Sequence, residues 1–290
     1  MIKEKLLENI VCPRCHHHLT SSSINEKYKL ICPICKEVYL IAHNRIYMIK
    51  NQRKGFDEFS RDNIISKLKM FFKRYPKIFN LVYYFFGASF VGKSAKTVLK
   101  KIGYDKLVIN LGSSIKVIRK DVINIDFYPF ENVDVVADIC RLPFRDNSVD
   151  MVINEFVIEH TKHPDEIVSE IYRVLRPNGL IYIAAPFVAS FHSSPNDYYR
   201  WSKEGLKELL KDFKEEEIRI RCGPTSALLS VTNEWLAILF SFGSKKLQQI
   251  LLVFFMIITS PLKIIDYLIY RLPNAENIAY GFYYIGRKKE

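Results

Sequence analysis

Residues 133–187 constrain the fold of this chain more than any other stretch. Short β-branched runs at 133–137, 149–153 and 180–184 alternate with one well-punctuated helix, the pattern of a parallel sheet covered by helices. That helix can be read position by position. Pro164 sits in its first turn, where a missing N–H costs nothing, and Asp165 and Glu166 suit the positive end of its dipole. Ile167, Ile171, Val174 and Leu175 form one apolar face, and Asn178 with Gly179 is expected to end the helix. The expected fold class is α/β.

A fixed series of motifs runs through the same stretch: Asp138; Leu142-Pro143-Phe144; D-x-S-x-D from Asp146 to Asp150; Glu159-His160; and E-I-x-R-V-L-x-P-x-G from Glu170 to Gly179. In this order they resemble the class I S-adenosylmethionine (SAM) dependent methyltransferases, in particular the methyltransferase type 11 branch. The resemblance implies a Rossmann-like class I methyltransferase sheet that takes SAM as cofactor and carries its methyl group to an acceptor.

Residues 106–111 read as the first strand of that sheet, and Gly112 follows where the methionine end of SAM would pass too close to the backbone for a Cβ. The family's acidic residue before this loop is replaced by Asn110, and of its glycines only Gly112 remains. Asp126 ends the second strand, where a carboxylate can accept from both ribose hydroxyls or cap a turn. The resemblance further implies Asp138 and the N–H of Ile139 at the adenine, with Asn154 just past the fourth strand at the mouth of the sheet. After the fifth strand, His192, Pro195, Asp197, Tyr198 and Arg200 resemble the branch's H-x-x-P-x-D-Y-x-R signature. His192 is the candidate catalytic residue, as base or substrate anchor, with Asp197 and Arg200 a structural ion pair.

Upstream, Cys12, Cys15, Cys32 and Cys35 form two C-P-x-C pairs sixteen residues apart, within the range for a four-thiolate zinc site. Four protein ligands close a tetrahedral shell, so this metal is structural; two disulfides or an iron centre are the alternatives. Such a site predicts a ribbon that depends on its metal and unfolds without disturbing the rest of the chain. The ribbon, residues 1–50, is similar to the zinc-ribbon activators of tRNA and protein methyltransferases, and departs from them at Ala42-His43-Asn44, where a "D-G" turn is usual. The resemblance implies partner or substrate docking.

The expected organisation is a zinc ribbon at 1–50, a helical linker or lid at 51–104, and a methyltransferase domain at 105–290 with an apolar helical insertion at 223–277. In the linker, apolar residues from Ile64 to Tyr75 recur at helical spacing among basic ones from Lys67 to Lys77, which suits a lid over the cofactor or a helix on an anionic membrane. The insertion is strongly apolar at 235–242 and 250–262. The second run is short for a span and is broken by Pro261, and a single crossing would separate the last strand from its sheet. An interfacial membrane contact through 235–272, an apolar substrate pocket or an oligomer interface remain.

The chain carries 43 basic against 31 acidic residues, a formal charge of +12, which suits polyanionic partners. Its start lacks an uninterrupted secretory core, so the expected location is cytoplasmic, peripheral at a membrane. The expected activity is methyl transfer to an unidentified acceptor, favoured as apolar or lipid-linked (isoprenoid or glycan). The alternatives are an RNA base methyltransferase and a non-catalytic methyltransferase-fold scaffold.

Overall fold

The structure is a computed structural model that describes residues 3–24, 27–49, 87–192 and 196–290. The expected amphipathic helix of the linker lies outside the described residues.

The chain opens with α1 (Glu4–Asn9) and four short strands, β1 (Thr20–Ile24), β2 (Lys27–Ile31), β3 (Val38–Ala42) and β4 (Arg45–Tyr47). The turn from β3 to β4 is made by His43 (φ 51°) and Asn44 (φ 57°), both left-handed. This is the two-residue geometry that usually asks for Asp-Gly or Asn-Gly, and Asn tolerates it. There follow α2 (Ala95–Leu99), β5 (Val108–Leu111), β6 (Ile123–Asp126), β7 (Val135–Val136), β8 (Val149–Glu155), α3 (Pro164–Val174), β9 (Leu175–Pro186), α4 (Lys203–Leu209) and β10 (Phe213–Cys222). The chain finishes with α5 (Pro224–Leu239), α6 (Lys245–Thr259), α7 (Asp266–Ile269) and β11 (Gly281–Lys288).

Among the described residues the eleven strands belong to one sheet, ordered β1-β2-β3-β4-β7-β6-β5-β8-β9-β11-β10. From β7 across to β9 the pairs are parallel, and β11 is antiparallel to both β9 and β10, the expected edge pair. The order reverses at β5, whose neighbours are β6 on one side and β8 on the other. Ligands of open α/β sheets bind at the carboxyl ends of the strands at such a reversal.

The ribbon is built into this sheet. β4 pairs in parallel with β7, with Ile46 N–H donating to the Asp134 carbonyl at 3.0 Å and Met48 N–H to that of Val136 at 2.8 Å. The Arg45 guanidinium donates to the carbonyls of Val133 (2.8 Å), Pro129 (3.0 Å) and Phe130 (2.6 Å). On the other side of the ribbon, Val11 N–H donates to the Pro143 carbonyl at 3.0 Å. Leu6, Ile10, Cys12, Tyr39 and Ile46 share one apolar core with Leu142 and Phe144. An independently unfolding ribbon is therefore the wrong expectation: losing it strips the neighbour of β7 and opens the common core.

Two element readings also change. α3 ends at Val174, before Asn178-Gly179, because Leu175 is already extended (ψ 138°) and pairs with Val149 as the first residue of β9. Pro177, two residues on, could not have continued the helix. Pro261 does not break the apolar insertion. It sits in the first turn of a 3₁₀ segment, Ser260–Ile265, that carries the helix onward. The result is a 25-residue run, Lys245–Ile269, whose most apolar 18 residues are almost wholly unburied, long and apolar enough to cross a membrane.

The insertion is nonetheless fastened at both ends. Cys222 and Gly281 are register partners, so it leaves and re-enters the sheet at one point. Asp266, wholly buried, accepts from the N–H groups of Thr225 (2.6 Å) and Ser226 (3.0 Å) and from the Ser226 hydroxyl (2.6 Å). Those are first-turn donors of α5, left open by the helix itself.

Candidate active site and ribbon metal site

The two Cys knuckles are near copies of one another. His16 and Lys36 each follow the second cysteine with left-handed φ, and their N–H groups donate to the carbonyls of Cys12 (2.8 Å) and Cys32 (3.1 Å). This brings the four sulfurs together, with Cys12–Cys35 at 3.5 Å, Cys15–Cys32 at 3.3 Å and Cys15–Cys35 at 3.7 Å. Thiolates about 2.3 Å from one tetrahedral ion stand roughly 3.8 Å apart, so the set fits a thiophilic ion such as zinc. Burial works to raise the Cys32 thiol, but hydrogen bonds from the Cys35 backbone, the Cys15 thiol and the Ile34 backbone outweigh it and bring it to about 6. Tyr39 Oη lies 3.1 Å from the Cys12 sulfur, behind the set. His16, His17 and His18 are exposed on the turn beyond it.

At the sheet reversal, Gly112 has φ +64°, and a Cβ there would overlap the side chain of Val157. Asp126 ties the neighbouring loops together: its carboxylate accepts from Ser114 N–H at 2.8 Å and Tyr128 N–H at 2.9 Å. A carboxylate has about four acceptor positions, a number that suits ribose hydroxyls as well as backbone donors. Asn110 donates to Asn124 across the sheet at 3.2 Å, a neutral pair where the family's acid stands. Asn154 is the penultimate residue of β8, not beyond it; it is wholly buried and neither amide atom has a hydrogen-bond partner. The hydroxyl of Ser113 is orphaned in the same way. Buried polar atoms without partners are costly, and a bound polar ligand satisfies them. The amino acid end of SAM fits this requirement. Asp138 is exposed after β7 and accepts from Cys140 N–H at 3.0 Å, with Ile139 half-buried beside it.

Glu155 ends β8 in an ion pair with Arg221 (2.8 Å) and a second with Lys116 (3.3 Å). Burial would raise its carboxyl, but the charges of Lys116 and Arg221 hold it below the ordinary value.

A second constellation stands just beyond β8 on the turn Ile158–His160. Glu159 is wholly buried and neither carboxylate oxygen has a hydrogen-bond partner; burial pushes it up to about 8. His160 Nε2 is 3.8 Å and His192 Nε2 3.9 Å from the same oxygen, Oε1. The two rings meet edge-on, with centroids 5.1 Å apart. Burial and the neighbouring His160 lower the His192 pKa to about 4, so its ring is neutral at physiological pH. Asp197 binds Arg200 at 2.5 and 2.6 Å, the expected ion pair, and accepts from His192 N–H at 2.7 Å. The fold thus joins His192, read from the sequence, to Glu159, which the sequence offers only as part of a motif. No spacing rule could have found it, because what sets Glu159 apart is burial without a partner.

Residues 106–183 match the methyltransferase domain family, and residues 3–42 match the Trm112p-like protein family. Two family models thus match successive parts of the chain, the four-cysteine ribbon and the first strands of the parallel sheet. Over 50 residues the chain is 45% identical to a protein of Mycolicibacterium smegmatis described as a probable S-adenosylmethionine-dependent methyltransferase, covering 17% of this chain and 20% of that protein. It is 38% identical over 63 residues to a ubiquinone/menaquinone biosynthesis C-methyltransferase of a Ruegeria species, covering 22% and 23%. The matched segments thus span about a fifth to a quarter of the length of these curated relatives. Among solved structures, Haemonchus contortus phosphoethanolamine N-methyltransferase 2 with S-adenosyl-L-methionine superposes at 18% identity and a TM-score of 0.45, over 77% of this chain and 60% of that one.

Proposed function

We propose that this protein is a SAM-dependent methyltransferase acting on an apolar, lipid-linked acceptor, an isoprenoid or a lipid-linked glycan, from the cytoplasmic surface of a membrane. The observation that carries the activity is the pocket-side set at the sheet reversal: Gly112, which tolerates no side chain, Asp126, and the orphaned amide of Asn154 within the methyltransferase domain. Asp126 takes the ribose hydroxyls, Asp138 and the N–H of Ile139 take the adenine, and Gly112 with Asn154 receives the amino acid end. SAM supplies a methyl group on a good leaving group, so the chain's task is to align the acceptor in a dry site. His192, at the mouth of the sheet, anchors that acceptor. The ribbon cysteines, Cys12, Cys15, Cys32 and Cys35, hold a structural zinc ion.

The apolar run Lys245–Ile269 supports the lipid half of this reading, since a surface so apolar and so little buried asks for an apolar partner. The Ruegeria relative is named for the biosynthesis of ubiquinone and menaquinone. The net charge of +12 and the Trm112p-like ribbon favour a second reading, an RNA base methyltransferase. Incubation with methyl-labelled SAM and total cell extract, followed by separation of lipid, RNA and protein, decides between them. Label in the lipid fraction is the expected result, and label in RNA selects the second reading. SAM binding by calorimetry without transfer to any fraction would leave the chain a non-catalytic scaffold.

A further inference from the structure

We infer that Glu159, His160 and His192 form a second metal site, for a divalent transition ion of the zinc or iron(II) kind, at the mouth of the sheet. The inference rests on the proposed function for its place beside the acceptor, and on the side chains alone for the ion.

Three observations carry it. One potential ligand atom from each of Glu159, His160 and His192 lies within 4.8 Å of the other two. Both histidines turn Nδ1 toward a backbone carbonyl, His160 to Asn196 at 2.6 Å and His192 to Ser190 at 3.3 Å. A ring donating from Nδ1 carries its lone pair on Nε2, and metal-bound histidines are commonly held from behind in this way. Both Nε2 atoms face Glu159 Oε1, on a wholly buried side chain neither of whose carboxylate oxygens has a hydrogen-bond partner.

Three potential ligand atoms converge on one point, where a divalent ion would bind all of them at once. A shared proton does not suit the spacing, because 3.8 and 3.9 Å exceed any hydrogen bond. Nitrogen and oxygen ligands about 2.0–2.2 Å from one tetrahedral ion stand roughly 3.4 Å apart, so small side-chain rotations close the shell. Arg200 Nη2 lies 3.4 Å from His192 Nδ1, but its charge is matched by the bidentate contact with Asp197. Two imidazoles and one carboxylate suit zinc or iron(II) better than magnesium or calcium. Three protein ligands also leave a position open for water or an acceptor oxygen, unlike the closed four-cysteine set.

The test loads the full-length protein with cobalt(II) after chelator treatment and reads both metal content and the visible spectrum. Two equivalents per chain are expected, one with thiolate charge-transfer bands and one without. Glu159→Gln and His192→Ala should each lower the content from two to one and leave the thiolate bands in place. His160→Ala, which alters a half-buried ring, repeats the test with less risk to folding. A wild-type chain that takes up only the thiolate-bound equivalent overturns the inference with no variant needed, as do variants that keep both. SAM calorimetry on the same samples reports on the methyltransferase reading separately: binding of SAM with a single metal sinks the second site alone, and two metals without SAM binding sink the enzyme alone.

Discussion

Asp126 shows how much one carboxylate is asked to do. It closes the turn after β6 through Tyr128, holds the loop after β5 through Ser114, and under the proposed function also receives the ribose. Charge-assisted hydrogen bonds of this kind contribute about 1.5–3 kcal/mol. Asp126→Ala is therefore expected to weaken SAM binding about tenfold to more than a hundredfold by calorimetry, with the fold retained. A loss below about threefold would reduce Asp126 to the turn cap that the sequence also allows. Its neighbour Asn110 illustrates the opposite case. The missing acid reads as a defect in the sequence, yet the structure pairs it with Asn124, whose amide donates in turn to the Asn132 carbonyl at 3.0 Å.

The seam between β4 and β7 is the element that couples metal site to sheet. Arg45 donates to several carbonyls of the turn before β7, and charged donors to such acceptors are worth about 1.5–3 kcal/mol each before the cost of ordering the side chain. Arg45→Ala is expected to lower the melting temperature of the whole chain in one transition. Two separated transitions in calorimetry, with the ribbon melting alone, would contradict the shared core. This seam was illegible in the sequence, because three residues, Arg45 to Tyr47, against a two-residue strand leave no periodic signal. The strands within 133–187 were legible because β-branched runs between turns are strong local signals. The end of α3 misled for a local reason as well. Asn178-Gly179 is a good helix stop, and Asn178 does take a left-handed φ of 62°, but it turns the chain inside β9 after the helix is over. The ends of β5, β6 and β8 could be placed by pattern, whereas the Glu159 cluster joins two loops far apart in the sequence, the turn Ile158–His160 and the segment after β9 that holds His192.

At the scale of the whole molecule, the α5–α6 hairpin presents its tip to solvent, with Phe242 89% exposed and Lys245 and Lys246 exposed beside it. An apolar tip flanked by cations suits an anionic lipid surface. Under the proposed function, binding to anionic vesicles is expected to weaken but persist as salt rises, since only the charge contribution is screened. Replacing Phe242 and Phe254 by Ser should remove most of the salt-resistant part in a sedimentation assay. A monodisperse protein that ignores such vesicles at low salt would return the hairpin to a substrate pocket or a subunit interface. The joined sheet has a further consequence, for the order in which the chain is made. Tyr47 pairs with Val136, 89 residues downstream, so the ribbon leaves the ribosome long before its neighbour exists. At about 5–20 residues per second, β4 waits roughly 4–18 s with one side bare. During that interval the nascent chain displays an open strand edge, and the first protein to meet it in the cell is whatever guards the exit tunnel.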